Sequence, residues 1–185
     1  MFNTRASGGS RGNPTMGAET TTLCRLAHPF NAIVNGASRG IGLALLDALL
    51  ATTGAVRVFA TARHACGQAA LLQRAASDPR LHLIDMDITL ERSVVSAAAA
   101  VHAAATQIDL VINCAGVLHD GEAMQPEKRL ADVTPLNMQR SFAVNAIGPL
   151  LIGKHLQNLL PARQRSVFAS LSARVGSIGD NSLGG

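Results

Sequence analysis

The run Asn35-Gly36-Ala37-Ser38-Arg39-Gly40-Ile41-Gly42 lies where an apolar strand, ending in Ile33 and Val34, passes into an apolar helix from Ile41 to Leu50. A glycine-built turn between strand and helix is the setting a dinucleotide phosphate site needs. Gly36 supplies the tight backbone angle, Gly40 lets the main chain approach a pyrophosphate, and Gly42 lets helix and strand pack closely. The first helical amides have no partner within the helix, so they point at the anion, with Ser38, Arg39 and Ile41 along the approach. Glycines alone have a plainer explanation, because turns use them for steric reasons only. The spacing, Gly-x3-Gly-x-Gly, is neither the Walker phosphate loop, which closes on Gly-Lys-Ser/Thr, nor Gly-x-Gly-x-x-Gly.

Outward from that turn the chain alternates short apolar runs with helical stretches. This is the pattern of an α/β, doubly wound parallel sheet of Rossmann-like form. Strands are expected over 32–35, 56–60, 81–84, 109–113 and 166–169, and helices over 41–51, 68–76 and 94–106. The Asp78-Pro79 pair stops the second helix. A loop bearing Pro126 and Pro135 leads to a long helix near Met138 to Leu160, which Pro161 ends. That helix is the expected surface for a homo-oligomer.

Composition narrows the function classes. The 185 residues are 48% hydrophobic, enough for one domain with a genuine core. Residues 1–29 are rich in Ser, Thr and Gly with a single acid, Glu19, and read as a flexible segment or a targeting peptide ahead of a domain over 30–185. The expected location is cytoplasmic, or a mitochondrion or plastid if the segment is a transit peptide. The formal charge of +4 comes from scattered arginines, with Lys128 and Lys154 the two lysines, and aromatics are 3%, all Phe. No basic cluster interleaved with aromatics exists, so no nucleic-acid partner is expected. No apolar run approaches a membrane span, so no membrane partner is expected either. Cys24, Cys66 and Cys114 are odd in number and lack zinc-ligand spacing, which argues for reduced thiols and no metal.

Three further elements follow the strands. Asp87-Ile88-Thr89 comes just after the third strand, Asn113-Cys114-Ala115-Gly116 ends the fourth, and Asn145 lies within Val144-Asn145-Ala146-Ile147-Gly148-Pro149 on the long helix. Singly, Asp87 also fits a helix cap, and Asn113 or Asn145 a satisfied core amide. Cys114 reads as a small buried hydrophobe, Met86, Met124 and Met138 as core or loop filling, and no histidine is assigned a role. In this order and spacing, however, the four motifs together resemble the short-chain dehydrogenase/reductase family over about residues 31–182. The stretch from His119 to Lys154 is particularly similar to its carbonyl-reductase or C-factor-like branch.

The resemblance implies an oxidoreductase that moves a hydride between a nicotinamide cofactor and a small-molecule carbonyl or alcohol. It implies that Gly36, Ser38, Arg39, Gly40, Ile41 and Gly42 cradle the phosphates, that Asp87 meets the adenine amino group beside Ile88, that Asn113 braces the sheet, and that Ala115 and Gly116 leave room for the ribose. Asn145 falls where the family keeps an active-site asparagine, and Asn35 replaces the usual threonine.

Charge selects the cofactor. An NAD site places a carboxylate about 20 residues past the glycine turn, whereas an NADP site places a cation there. No acid lies between Asp47 and Asp78, the second strand runs into Arg63, and Arg39 sits inside the turn. Arginine's planar fork suits a 2′-phosphate, so NADP is expected, unless both arginines are merely solvated surface charges.

The chemistry is less complete. In the family a tyrosine acts as acid/base, a lysine four residues later lowers its pKa, and a preceding serine holds the substrate oxygen. This sequence has no tyrosine. Phe168-Ala169-Ser170-Leu171-Ser172-Ala173-Arg174-Val175-Gly176 resembles the serine segment, with Ser172 the candidate although the usual position falls on Ala173. The expectation is a C-terminally incomplete domain that ends before Tyr-x3-Lys and is inactive as it stands. A non-catalytic NADP-binding sensor or partner subunit, or a structural oligomerisation domain, would carry the same fold.

Overall fold

In a computed structural model, Leu26, residues 29–121 and 124–173, and Gly179 are described. Five strands, β1 (Phe30–Asn35), β2 (Ala55–Ala62), β3 (Leu81–Asp85), β4 (Leu110–Asn113) and β5 (Val167–Ser170), lie parallel in the order β3-β2-β1-β4-β5. The progression reverses between β1 and β4. In a doubly wound sheet that reversal opens a crevice beyond the carboxyl ends of the two strands, where ligands bind.

Helices cover both faces, so the strands are apolar on both sides rather than alternating with polar residues. Ala32 and Val34 face one way with Val58, Ala60, Leu110 and Ile112, and pack with Leu46 and Leu49 of α1 (Gly40–Leu50) and Leu71 of α2 (Ala69–Ser77). Ile33, Phe59 and Val111 face the other way, against Val94, Ala97 and Val101 of α3 (Glu91–Ala104). Ile152 and Leu156 of α5 (Gly148–Leu156) complete that second layer. Leu26 packs into the first layer, so apolar anchoring begins inside the stretch that composition alone sets apart from the domain.

Arg80 holds the back of the first layer. Its guanidinium donates to the carbonyls of Thr52 and Ala55, each at 3.1 Å, and to that of Leu50 at the end of α1, while Asp78 pairs with it at 2.6 Å. A cation at a helix C-terminus meets orphan carbonyls and the negative end of the helix dipole.

The expected elements all form, with shifted ends. β1 starts earlier, at Phe30, because Phe30 is itself a buried side chain that belongs to the core. The long helix starts at Pro135 rather than Met138, since Thr134 caps it by accepting from Asn137 N–H at 3.2 Å and Pro135 suits its first turn. It also is not one helix. α4 (Pro135–Phe142) passes through a π turn, Ala143–Ile147, into α5, and a 3-10 turn, Gln157–Leu159, follows. Met138 is 42% exposed, not core filling, whereas Met86 and Met124 are buried. Among the described residues no helix is long and apolar enough to cross a membrane.

Candidate functional site

The glycine turn is shaped by close approach. Gly36 has φ +77°, and a Cβ there would lie 2.8 Å from Ala115 N. Gly42 has an ordinary φ, but its Cβ would lie 2.2 Å from the Gly36 carbonyl oxygen, so only glycine lets α1 start this near the strand. Gly40 differs again. Its φ of +57° demands glycine, and the space its Cβ would enter is open. α1 begins there with no side-chain cap and no acid in its first turn. Open space in front of uncapped amides fits an anionic pyrophosphate, which is the test the cradle has to pass.

Backbone bonds fix that turn to its neighbours. Gly36 N–H and Ala37 N–H both donate to the Thr61 carbonyl, at 2.8 and 3.2 Å, and Cys114 N–H donates to that of Asn35 at 2.9 Å. Ser38 is half-buried, while Arg39, Ile41 and Arg63 are exposed along the same edge.

A row of polar side chains crosses the carboxyl edge of the sheet. Thr61 Oγ1 donates to Asn35 Oδ1 at 2.9 Å, Asn35 Nδ2 donates to Asn113 Oδ1 at 2.6 Å, and Asn113 Nδ2 donates to Ser170 Oγ at 3.0 Å. The register makes this possible, because Asn35 lies opposite both Thr61 and Asn113, and Asn113 opposite Ser170. Thr61, Asn35 and Asn113 are each 1% exposed, so every partner counts. Asn113 Oδ1 also accepts from Ala115 N–H at 3.3 Å, which sets the course of the loop through Ala115 and Gly116.

Sequence reasoning assigned Asn35 only to the turn and missed Thr61 and Ser170. The available signal was that four apolar strands each carry a polar residue at, or one place before, their carboxyl end. Ser172, the serine chosen from sequence, is exposed and carries no side-chain hydrogen bond among the described residues; Ser170 is the serine tied into the site. Arg174 to Gly176, the rest of that segment, lie outside the described residues.

Asn145 sits in the π turn, exposed rather than a core amide. Its Oδ1 accepts from Val117 N–H at 2.8 Å and its Nδ2 donates to the Val117 carbonyl at 2.7 Å and to Ser141 Oγ at 3.2 Å. The amide thus pins the loop after β4 to the helix as a neighbouring strand would. π turns are rare and concentrate at functional sites. Arg140 pairs with Asp120 and holds the same loop further along.

Asp87 does not cap α3, whose N-cap is Leu90. Its carboxylate accepts from Thr89 N–H at 2.9 Å and Oγ1 at 2.6 Å, and its own N–H donates to Ser93 Oγ at 2.9 Å. Ile88 is buried, and a Cβ on Gly148 would lie 2.7 Å from its Cδ1, so the loop after β3 and the start of α5 touch. Burial pushes the half-buried Cys114 thiol above its usual range, as burial and the Asp85 carboxylate do for Cys66. Neither is a ready thiolate. Among the described residues no three His, Cys, Asp or Glu side chains are grouped to hold a metal.

Strand order, glycine turn and polar edge define a dinucleotide-binding protein of the doubly wound class. Residues 31–180 match the short chain dehydrogenase model, and the chain belongs to that family. It is 29% identical over 172 residues to the L-xylo-3-hexulose reductase of Hypocrea jecorina, covering 83% of this chain and 56% of that protein. To the momilactone A synthase of Oryza sativa subsp. japonica it is 34% identical over 149 residues, covering 78% and 51%. The NADPH-bound carbonyl reductase from chicken fatty liver superposes with a TM-score of 0.74 at 28% identity, covering 84% of this chain and 61% of that one. The chain thus spans about half the length of the curated relatives it matches.

Proposed function

We propose that this chain binds NADP and carries the cofactor half of an oxidoreductase acting on a small-molecule carbonyl or alcohol. The observation that carries the reading is the cradle at Gly36, Gly40 and Gly42, whose steric demands match a pyrophosphate, with Arg39 and Arg63 exposed beside it. The NADPH held by the chicken carbonyl reductase supports the choice of cofactor. When bound, such a cofactor supplies or accepts the hydride. The chain's own residues do the positioning. The uncapped amides of α1 and the two arginines bind phosphate, Asn113 and Ala115 shape the ribose edge, Asp87 and Ile88 border the adenine, and Asn145 holds the Val117 loop over the crevice.

No tyrosine is available in these 185 residues to move the substrate proton. Absent general acid/base help costs about 10²–10⁴ in rate, so turnover by this chain is expected to be negligible. That observation favours a second reading, an NADP-binding sensor or partner subunit. Titration with NADPH and NADH tests the first step: NADPH binds more tightly, and Arg63→Glu removes the preference. Equal affinities in the parent chain defeat the cofactor assignment. NADPH oxidation over a panel of aldehydes and ketones then separates the readings, since robust turnover excludes the sensor.

The reading carries two further proposals. A cytoplasmic location is supported by Cys66 and Cys114 standing unpaired. Self-association through the long helix is supported by Leu136, Phe142, Ile147 and Leu150, all more than half exposed. Light scattering on Phe142→Glu/Leu150→Glu, expected to be monomeric, tests the latter against the parent chain.

A further inference from the structure

Asn35 is the one asparagine of the sequence that is followed by glycine. That pair is chemically unstable. The backbone nitrogen of the following residue can attack the side-chain amide carbon, and glycine has no Cβ to shield the nitrogen or to restrict the backbone that must bend toward it. Asparagine counts among the thermolabile residues.

The fold withholds each requirement of the reaction. Asn35 is buried, which keeps water from it. Its Oδ1 accepts from Thr61 Oγ1 at 2.9 Å and its Nδ2 donates to Asn113 Oδ1 at 2.6 Å, so the amide cannot rotate without breaking both bonds. The attacking nitrogen is engaged as well, since Gly36 N–H donates to the Thr61 carbonyl at 2.8 Å. The backbone of Ala115 closes on Gly36 from the other side.

We propose that Asn35 is a self-modification site gated by the fold, which deamidates when the polar row opens. The Gly36 nitrogen gives up its proton and bonds to Asn35 Cγ, the Cγ–Nδ2 bond breaks, and ammonia leaves with that proton, closing a succinimide. Water then cleaves either ring C–N bond to give aspartate or isoaspartate, and nothing is oxidised or reduced. Neither product fits the row. An ionised aspartate only accepts, so it turns an oxygen toward Asn113 Oδ1 where Nδ2 had donated, and it buries a charge with no cation in the row. Isoaspartate adds a carbon to the main chain just before Gly36 and takes that N–H out of line with Thr61. Opening thereby becomes irreversible. The proposal does not depend on which dinucleotide the cradle takes.

Tryptic mapping of the full chain tests this by following residues 26–39, the peptide that ends at Arg39, for the mass gain of amide-to-acid conversion. In urea above the unfolding midpoint, at mildly alkaline pH, the peptide converts. In native buffer conversion is about a hundredfold slower or more, because a folded domain is open only about 10⁻³–10⁻⁶ of the time. Asn35→Thr abolishes the conversion in both conditions. Thr61→Val, which frees Asn35 Oδ1, converts faster than Leu46→Ala when urea brings the two to equal stability. Asn35→Asp, which installs one product, unfolds at lower urea than the parent. No conversion in the unfolded chain, or equal rates in the folded and unfolded chains, overturns the proposal. Equal rates in Thr61→Val and Leu46→Ala overturn the part given to the row, and an Asn35→Asp chain as stable as the parent overturns the irreversibility.

Discussion

Replacing Asn35 with alanine removes the middle of the polar row that crosses the sheet. Its amide makes two buried bonds, accepting from Thr61 at 2.9 Å and donating to Asn113 at 2.6 Å. A buried polar group left without its partner costs about 1–3 kcal/mol. Thr61 Oγ1 loses its acceptor outright, whereas Asn113 Oδ1 keeps the Ala115 N–H at 3.3 Å, so its share falls at the low end. Together the loss is about 2–4 kcal/mol. Asn35→Thr, with one hydroxyl that can serve one neighbour but not both, loses about half as much, roughly 1–2 kcal/mol. Urea unfolding measures both: the midpoint falls while the slope stays fixed, since the surface exposed on unfolding hardly changes. NADPH affinity falls too, because Asn113 positions the loop at Ala115. An Asn35→Ala chain within about 0.5 kcal/mol of the parent, the scatter typical of a surface change, would refute the reasoning.

Gly42→Ala sets a Cβ 2.2 Å from the Gly36 carbonyl oxygen, so α1 must back away from the turn; NADPH titration should show binding lost, with stability down by about 1–3 kcal/mol. Asp78 gives a pH test. Hydrogen bonding to Arg80 holds its carboxyl below the usual aspartate range, so its stabilisation is complete above that range and disappears as pH falls through the lowered value. Asp78→Asn is therefore less stable than the parent at neutral pH, and the gap closes in acid, which thermal melts from pH 7 down to pH 3 will read.

The order of elements was legible because each has a local cause. The glycine turn, the Asp78-Pro79 stop and the apolar runs all act within a few residues. The site was legible where its residues are contiguous, as in Asn113 to Gly116. What escaped depends on register. Nothing near Asn35 reveals that Thr61 and Asn113 stand level with it, for parallel pairing joins positions 26 and 78 residues apart. The same limit hid Ser170, which only the pairing of β4 with β5 sets level with Asn113. Leu26 escaped for a different reason: one buried side chain does not alter the composition of a Ser/Thr/Gly-rich segment.

The π turn has a consequence for the phase of the long helix. Gly148 N–H bonds back to the Ala143 carbonyl, five residues away rather than four, so the turn absorbs one extra residue. Each residue of an α-helix advances the azimuth by about 100°, so α4 and α5 are set against one another by about that angle. In an unbroken helix the residue seven before Ile152 would share its azimuth and point into the second core layer. That residue is Asn145. The surplus residue brings Val144 to the core instead and swings the amide out to Val117. Deleting Ala143 or Val144, either of which keeps Asn145 seven residues before Ile152, would yield a more regular helix with the asparagine turned inward, so chain length at this point, more than side-chain identity, keeps packing and recognition on separate faces.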